Sequence, residues 1–280
     1  MSESMETVEM LRAESIFKSY GEHEAVADVS LSISKGEIHG ILGPVGAGKT
    51  TLMEILSGSI SADSGSVRMR GNPVGIGEKA VKARIGYMPE RNPFFADMTV
   101  GEILNFVGDA KGVVSEKRYR QIKEALDLVG LSERQNRLVG HLSGEEIKRL
   151  SLAAALLGNP DILLLDEPIP SVSAEKKEEF FGLIRMLGRI KTVVLATADY
   201  STAKELCDDV TILSDGKILV QGSFAALDDK LRQNESATTL EAVYRELVSV
   251  SVKPPRMLKD TEERTGWNRL KRKNGKEDRA

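Results

Sequence analysis

Two groups of residues in this chain have types and spacing that could do chemistry. The first is Gly43-Pro44-Val45-Gly46-Ala47-Gly48-Lys49-Thr50-Thr51, a glycine-rich run ending in a cation and two hydroxyls. Glycine lets the backbone bend until successive N–H groups point at one anion, and a helix that begins there adds partial positive charge. In such a loop Lys49 would reach the β- and γ-phosphates of a bound polyphosphate, and the Thr50 hydroxyl would ligate Mg²⁺. The second is Ile162-Leu163-Leu164-Leu165-Asp166-Glu167, an apolar run that delivers two carboxylates. At the carboxyl end of a buried parallel strand, Asp166 would lie where α/β sheets bind ligands and would hold Mg²⁺, directly or through water. Glu167 would orient or deprotonate an attacking water. Taken alone, the run into Asp166-Glu167 reads equally as a surface turn, and the alternative for the first run is an ordinary glycine-rich turn, so the elements around them decide.

Those elements fit. The apolar run Ile38–Leu42 reads as a buried strand leading into the glycine-rich loop, and residues 51–56 have helical spacing with a stop at Gly58. Strand, glycine turn and helix in that order imply binding of a nucleoside triphosphate. Upstream, Val29, Leu31 and Ile33 alternate with serines, the period of a half-buried strand. Asp63-Ser64-Gly65-Ser66 reads as a turn before a short strand over 67–70, which Gly71-Asn72-Pro73 closes. Thr99-Val100-Gly101-Glu102 fits a capping box that starts a helix, and Ser115 is expected to cap a second. A third helix is expected over 144–157 and a fourth over 174–187, followed by a strand at 192–196. Asp215-Gly216 between two apolar triplets is a hairpin signal, and residues 240–248 suit one more helix. The expected fold is therefore α/β: a P-loop core with a parallel sheet, an N-terminal antiparallel β part, and a helical insertion over about 92–158.

Composition narrows the class further. With 41% hydrophobic and 29% charged residues and a net charge of −3, the chain has no global pull toward nucleic acid. The single Cys207 rules out an internal disulfide and suits a reducing compartment. The acidic start lacks the apolar core of a secretory signal, and no apolar run is long enough to span a bilayer. A membrane role would then need another chain for the membrane part. From residue 253 onward ten Lys/Arg stand against five Asp/Glu, which suits a solvated tail, with contact to anionic lipid or nucleic acid as the lesser alternative.

With these residues in place, the chain resembles the ATP-binding subunit of an ABC transporter over residues 11–228, leaving a helical extension at 229–252 and the tail at 253–280. In that resemblance Tyr20 matches the aromatic that stacks on adenine. The run from Gly43 through Thr51 matches the Walker A loop, and Asp166-Glu167 matches Walker B with its catalytic glutamate. Gly86-Tyr87-Met88-Pro89-Glu90 matches the loop that senses the γ-phosphate and faces the membrane partner, with Glu90 where glutamine is usual and thus a further candidate for the metal. Leu142-Ser143-Gly144 opens the signature motif. The runs from Pro89 to Asn92-Pro93 and Met98-Thr99-Val100, and the ending Leu240-Glu241-Ala242-Val243-Tyr244, are similar to the ABC-2 export subfamily. The resemblance implies ATP and Mg²⁺ as ligands, a separate permease and a second ATP-binding subunit as partners, and a peripheral place on the cytoplasmic face of the membrane.

Three positions depart from the family pattern. The signature reads Gly144-Glu145-Glu146 where Gly-Gly-Gln is usual. Ser143 with Glu146 fits a capping box that favours the helix starting there, but carboxylates at that end repel the phosphate that the family places against the helix from the other subunit. Ser171-Val172-Ser173 ends in a hydroxyl where the D-loop has aspartate, although Ser173 is expected to cap the next helix. Ala198 stands where the family has a histidine bonded to the γ-phosphate. Loss of one preorganised donor of that kind costs roughly 10²–10³ in rate. His23, His39 and His141 lie elsewhere in the motif order, and none is a convincing substitute. ATP binding with slow hydrolysis is the expectation, in a homodimer or a heterodimer. A regulatory subunit with negligible hydrolysis is the alternative.

Overall fold

The protein is described by a computed structural model covering residues 8–91, 94–233 and 239–251. The chain opens on two long strands, β1 (Glu9–Tyr20) and β2 (His23–Ser34), which the alternation of buried apolar and exposed polar residues builds. Next come β3 (Ile38–Leu42), α1 (Lys49–Leu56), β4 (Ser64–Met69) and β5 (Asn72–Pro73). Strands β2, β1, β4 and β5, in that spatial order, form an antiparallel sheet. Asn72 and Pro73, expected to close a strand, pair with Met69 and Arg68 instead, because the turn at Arg70-Gly71 brings them back along β4.

The helical stretch lies between two strands of the second sheet. After α2 (Lys79–Lys82) and β6 (Ile85–Met88) come α3 (Val100–Ala110), α4 (Ser115–Val129) and α5 (Gly144–Leu156), and then β7 (Ile162–Asp166). Thr99 and Glu102 form the expected capping box. Ser115 does not cap α4. It is already the first helical residue, and the extended backbone that a cap requires sits at Val114. Lys111 closes the other end of this stretch, donating its ammonium to the carbonyls of Ala154, Ala155 and Leu157 at the end of α5. Burial pushes its pKa down to about 8.

The remaining elements are α6 (Ala174–Gly188), β8 (Thr192–Thr197), α7 (Tyr200–Leu206), β9 (Asp209–Ser214), β10 (Lys217–Ser223), α8 (Phe224–Gln233) and α9 (Leu240–Ser251). The second sheet has the order β10-β9-β3-β8-β7-β6; all its pairs are parallel except β9–β10. Asp215 and Gly216 turn that hairpin with φ of 47° and 73°, the left-handed pair that a two-residue hairpin needs. The basic tail expected at 253–280 lies outside the described residues.

Both faces of this sheet are covered. Leu163, Leu165, Val193 and Leu195 pack with the helices of one face, while Ile162, Leu164 and Val194 pack with α1 and the antiparallel sheet. That double burial explains why β7 is a continuous apolar run with no alternation. Leu164 has no exposed surface, so Leu164→Ala should destabilise the protein by about 2–5 kcal/mol in chemical denaturation, through lost burial and a residual cavity. A loss below about 1 kcal/mol would contradict this core.

Candidate functional site

The parallel register sets the site. Leu42 at the end of β3 pairs with Thr197, and Asp166 at the end of β7 pairs with Ala196, so β3, β8 and β7 finish level at one edge of the sheet. The glycine loop leaves from β3, Glu167 follows β7, and Ala198 follows β8. Glu90 follows β6 on the same side, since β6 runs parallel to β7.

The glycine loop cannot tolerate side chains at two of its positions. Gly48 has φ 97°, and a Cβ there would lie 2.1 Å from the Ala25 carbonyl oxygen; at Gly43 it would lie 2.5 Å from the Leu213 carbonyl. Gly46 also adopts a left-handed conformation, φ 85°. Ala47 points into the core and Val45 stands 91% exposed at the tip. Lys49 is buried, donating to the carbonyls of Gly43 at 2.8 Å and Pro44 at 3.1 Å, and lies 3.6 Å from Glu167 Oε1.

Around this loop the structure gathers most of the residues expected from sequence. Tyr20, Val45, Gly46, Gly48, Lys49, Thr50, Thr51, Glu90 and Glu167 line one cavity of about 260 Å³. Tyr20, at the end of β1, is 51% exposed and offers its ring to that space. Gly43 and Pro44 contribute main-chain carbonyls to Lys49 rather than lining. His23, set aside on motif order, lines the cavity too, because the tight turn after β1 pairs it with Tyr20. Spacing three residues after Tyr20 was the only sequence signal for it. His39 is buried between Glu37 and Thr211, and His141 is exposed at the end of a short 3-10 helix, Val139–His141; neither lines the cavity.

Asp166 lies beneath the cavity, fully buried, and among the described residues no hydrogen-bond partner reaches either carboxylate oxygen. Desolvation pushes its pKa up to about 6, and the negative charges of Glu167 and Glu90 add to this. The Thr50 hydroxyl and Lys49 act the other way, the hydroxyl close enough to favour the charged form without completing a hydrogen bond. No group of three or more His, Cys, Asp or Glu side chains among the described residues is arranged to hold a metal ion.

Glu167 has the positive φ of 43° that turns its side chain across β8. Its carboxylate accepts from the Thr197 hydroxyl at 3.0 Å and the Ala198 N–H at 2.8 Å. Ala198 has no polar side chain, as expected, yet its main chain donates to the carboxylate. Lys148, on α5, donates to the carbonyls of Glu90 and Glu167, both at 2.8 Å. No sequence signal marked it, since a lysine on an amphipathic helix reads as solvated.

Glu145 and Glu146, the acidic residues in the first turn of α5, are compensated locally. Glu146 completes the expected capping box with Ser143 and pairs with Arg134 Nε at 2.8 Å, which hold its carboxyl down at about 2. Glu145 pairs with Lys176 and with Arg149, and the Lys176 bond is the main reason its pKa is lowered. Neither carboxylate is a free negative charge, which tempers the repulsion expected from sequence. Ser173 occupies the N-cap position of α6, but its hydroxyl makes no capping bond. Lys148→Met should loosen both loops tied to α5. Losing hydrogen bonds from a charged donor, about 1.5–3 kcal/mol, should raise amide exchange across 88–91 and 166–168 about tenfold or more. Unchanged exchange would show that the ammonium holds neither loop.

Comparison with known proteins agrees with this architecture. Residues 26–170 match the ABC transporter family model. The chain is 37% identical to the uncharacterized ABC transporter ATP-binding protein YxlF of Bacillus subtilis, over 80% of this chain and 75% of that one. It is 32% identical to the linearmycin resistance ATP-binding protein LnrL of the same organism, over 79% and 72%, and 33% identical to a Nod factor export ATP-binding protein of Paraburkholderia xenovorans, over 75% and 69%. Among solved structures, a nucleotide-free ATP-binding cassette from an ABC transporter superposes with a TM-score of 0.69 at 27% identity, covering 77% of this chain and 91% of that one. The dimeric bacterial ABC transporter cassette MJ0796 superposes with a TM-score of 0.70 at 25% identity, covering 76% and 98%. The chain belongs to the ATP-binding proteins of the ABC transporter family.

Proposed function

We propose that this chain is the ATP-binding subunit of an export-type ABC transporter, coupling ATP binding and slow hydrolysis to a separate membrane permease on the cytoplasmic face of the cell membrane. The observation that carries the reading is the single cavity in which an exposed ring, a lysine, two threonine hydroxyls and two carboxylates face one another. Tyr20 would stack on adenine. The loop from Gly43 to Thr51, with Lys49, would cradle the β- and γ-phosphates. Glu167 would orient or deprotonate the attacking water.

Mg²⁺ fits the orphaned buried carboxylate of Asp166 beside the Thr50 hydroxyl, with Glu90 offering a further oxygen. This ion takes few protein ligands and keeps waters and phosphate oxygens for the rest. Bound there, it would neutralise charge on the β- and γ-phosphates. A second ATP-binding subunit, identical or different, is the expected partner. Phe95, Phe106 and Tyr119, each more than half exposed in the stretch between β6 and β7, suit contact with another chain. Among the described residues no helix is long and apolar enough to cross a membrane.

Slow turnover follows from Ala198, Ser173 and the acidic signature. Restoring one donor by Ala198→His should raise kcat by up to roughly 10²-fold, the scale of a preorganised donor. Fast wild-type turnover, unaffected by the change, would overturn this part of the reading. The protonation of Asp166 gives a second test. A carboxyl titrating at about 6 is neutral below that pH and a poor metal ligand. Its folded pKa lies above its unfolded value, so without the metal the folded state loses stability as pH rises from about 4 to about 6. Mg²⁺-dependent ATP binding should therefore strengthen about tenfold from pH 5 to pH 7 by calorimetry. Asp166→Asn should abolish that increment; an equal increment in the variant would place the metal elsewhere.

A further inference from the structure

We propose that Tyr244, on α9, is a positioning residue for Glu167, acting through the main chain of Ala198. The inference rests on the ATPase reading above, in which Glu167 acts on the attacking water. Ala198 has no polar side-chain atom, yet both of its main-chain polar groups are engaged. Its N–H donates to Glu167 Oε1 at 2.8 Å, and its carbonyl accepts from the Tyr244 hydroxyl at 2.8 Å. One residue thus links the carboxylate at the end of β7 to a helix near the end of the described chain. The flanking residues are held from other directions, Thr197 by its pairing with Leu42 of β3 and Asp199 by Lys177 of α6 at 2.9 Å, so the Tyr244 bond is the contact that reaches the Ala198 carbonyl itself.

The ring and the hydroxyl of Tyr244 do separable work. The side chain is buried at 4% exposure, with its ring 5.9 Å from that of Tyr200, which in turn meets Phe224 edge-on at 5.6 Å. The Leu240 N–H donates to Asp228 at 3.0 Å and ties the start of α9 to α8. Aromatic packing and this tie anchor the helix without the hydroxyl. The hydroxyl is left with one task, holding the Ala198 carbonyl in place. Burial, with the nearby carboxylates of Glu167 and Asp199, raises its pKa well above the ordinary phenol value and keeps it a donor.

Tyr244→Phe removes the hydroxyl and keeps the ring, and it is tested in the full-length protein by two independent measurements. Loss of a buried neutral hydrogen bond should raise amide exchange over residues 196–200 about three- to tenfold, with exchange over 240–251 unchanged. In steady-state ATP hydrolysis kcat should fall by a similar factor while KM stays within about twofold. Unchanged exchange over 196–200 overturns the proposal. So does faster exchange over 240–251 in step with it, which would mean the hydroxyl merely anchors the helix. If the wild-type protein shows no hydrolysis, the ATPase reading fails by itself, and the exchange measurement still decides whether Tyr244 fixes the Ala198–Glu167 contact.

Discussion

Strand β8 lies between β3 and β7 in a register that sets Leu42 beside Thr197 and Asp166 beside Ala196. Because the strands run parallel, the glycine loop, Glu167 and the Ala198 segment all leave the sheet on the same side and at the same height. A slip of one residue would turn each strand's side chains to the opposite face and separate these groups. The side chains that a slip would exchange fill different cores, Leu163 and Leu165 one and Ile162 and Leu164 the other.

The electrostatics of the site follow from that placement. Asp166 is drawn out of water by the strand that carries it, and among the described residues it gains no hydrogen bond in return. A buried carboxylate without a partner is costly and shifts toward its neutral form. The opposite holds at the start of α5, where Glu145 and Glu146 each gain a cation and stay ionised. Two acidic clusters of similar composition therefore differ in chemistry, because one lies under the sheet edge and the other lies among arginines and a lysine.

Glu167 is held from several directions by contacts that leave its backbone little freedom. Thr197 and Ala198 bond its carboxylate, Ala196 accepts from its N–H, and Lys148 of α5 donates to its carbonyl. The segment that grips the carboxylate is itself held by Tyr244 of α9. Elements distant in sequence thus converge on one carboxylate through main-chain hydrogen bonds.

Sequence by itself determined the parts whose signal is local. The loop from Gly43 to Thr51, the apolar run into Asp166-Glu167, the capping boxes at Thr99 and Ser143 and the turn at Asp215-Gly216 each depend on a few neighbouring residues with a fixed backbone need. Cap positions were less legible at Ser115 and Ser173, because a serine can stand at a helix start without its hydroxyl bonding. Only the tertiary structure decided what required distant residues to meet. His23 joins the cavity through strand pairing, and Lys148 reaches two loop carbonyls from a helix that reads as solvated. The cations paired with Glu145 and Glu146 lie up to 31 residues away. Ala198 carries the same distinction. Its methyl group announces a missing side-chain donor, but whether its N–H and carbonyl are used depends on where β7, β8 and α9 place their partners. Main-chain groups are the same at every residue, so no sequence pattern can mark them.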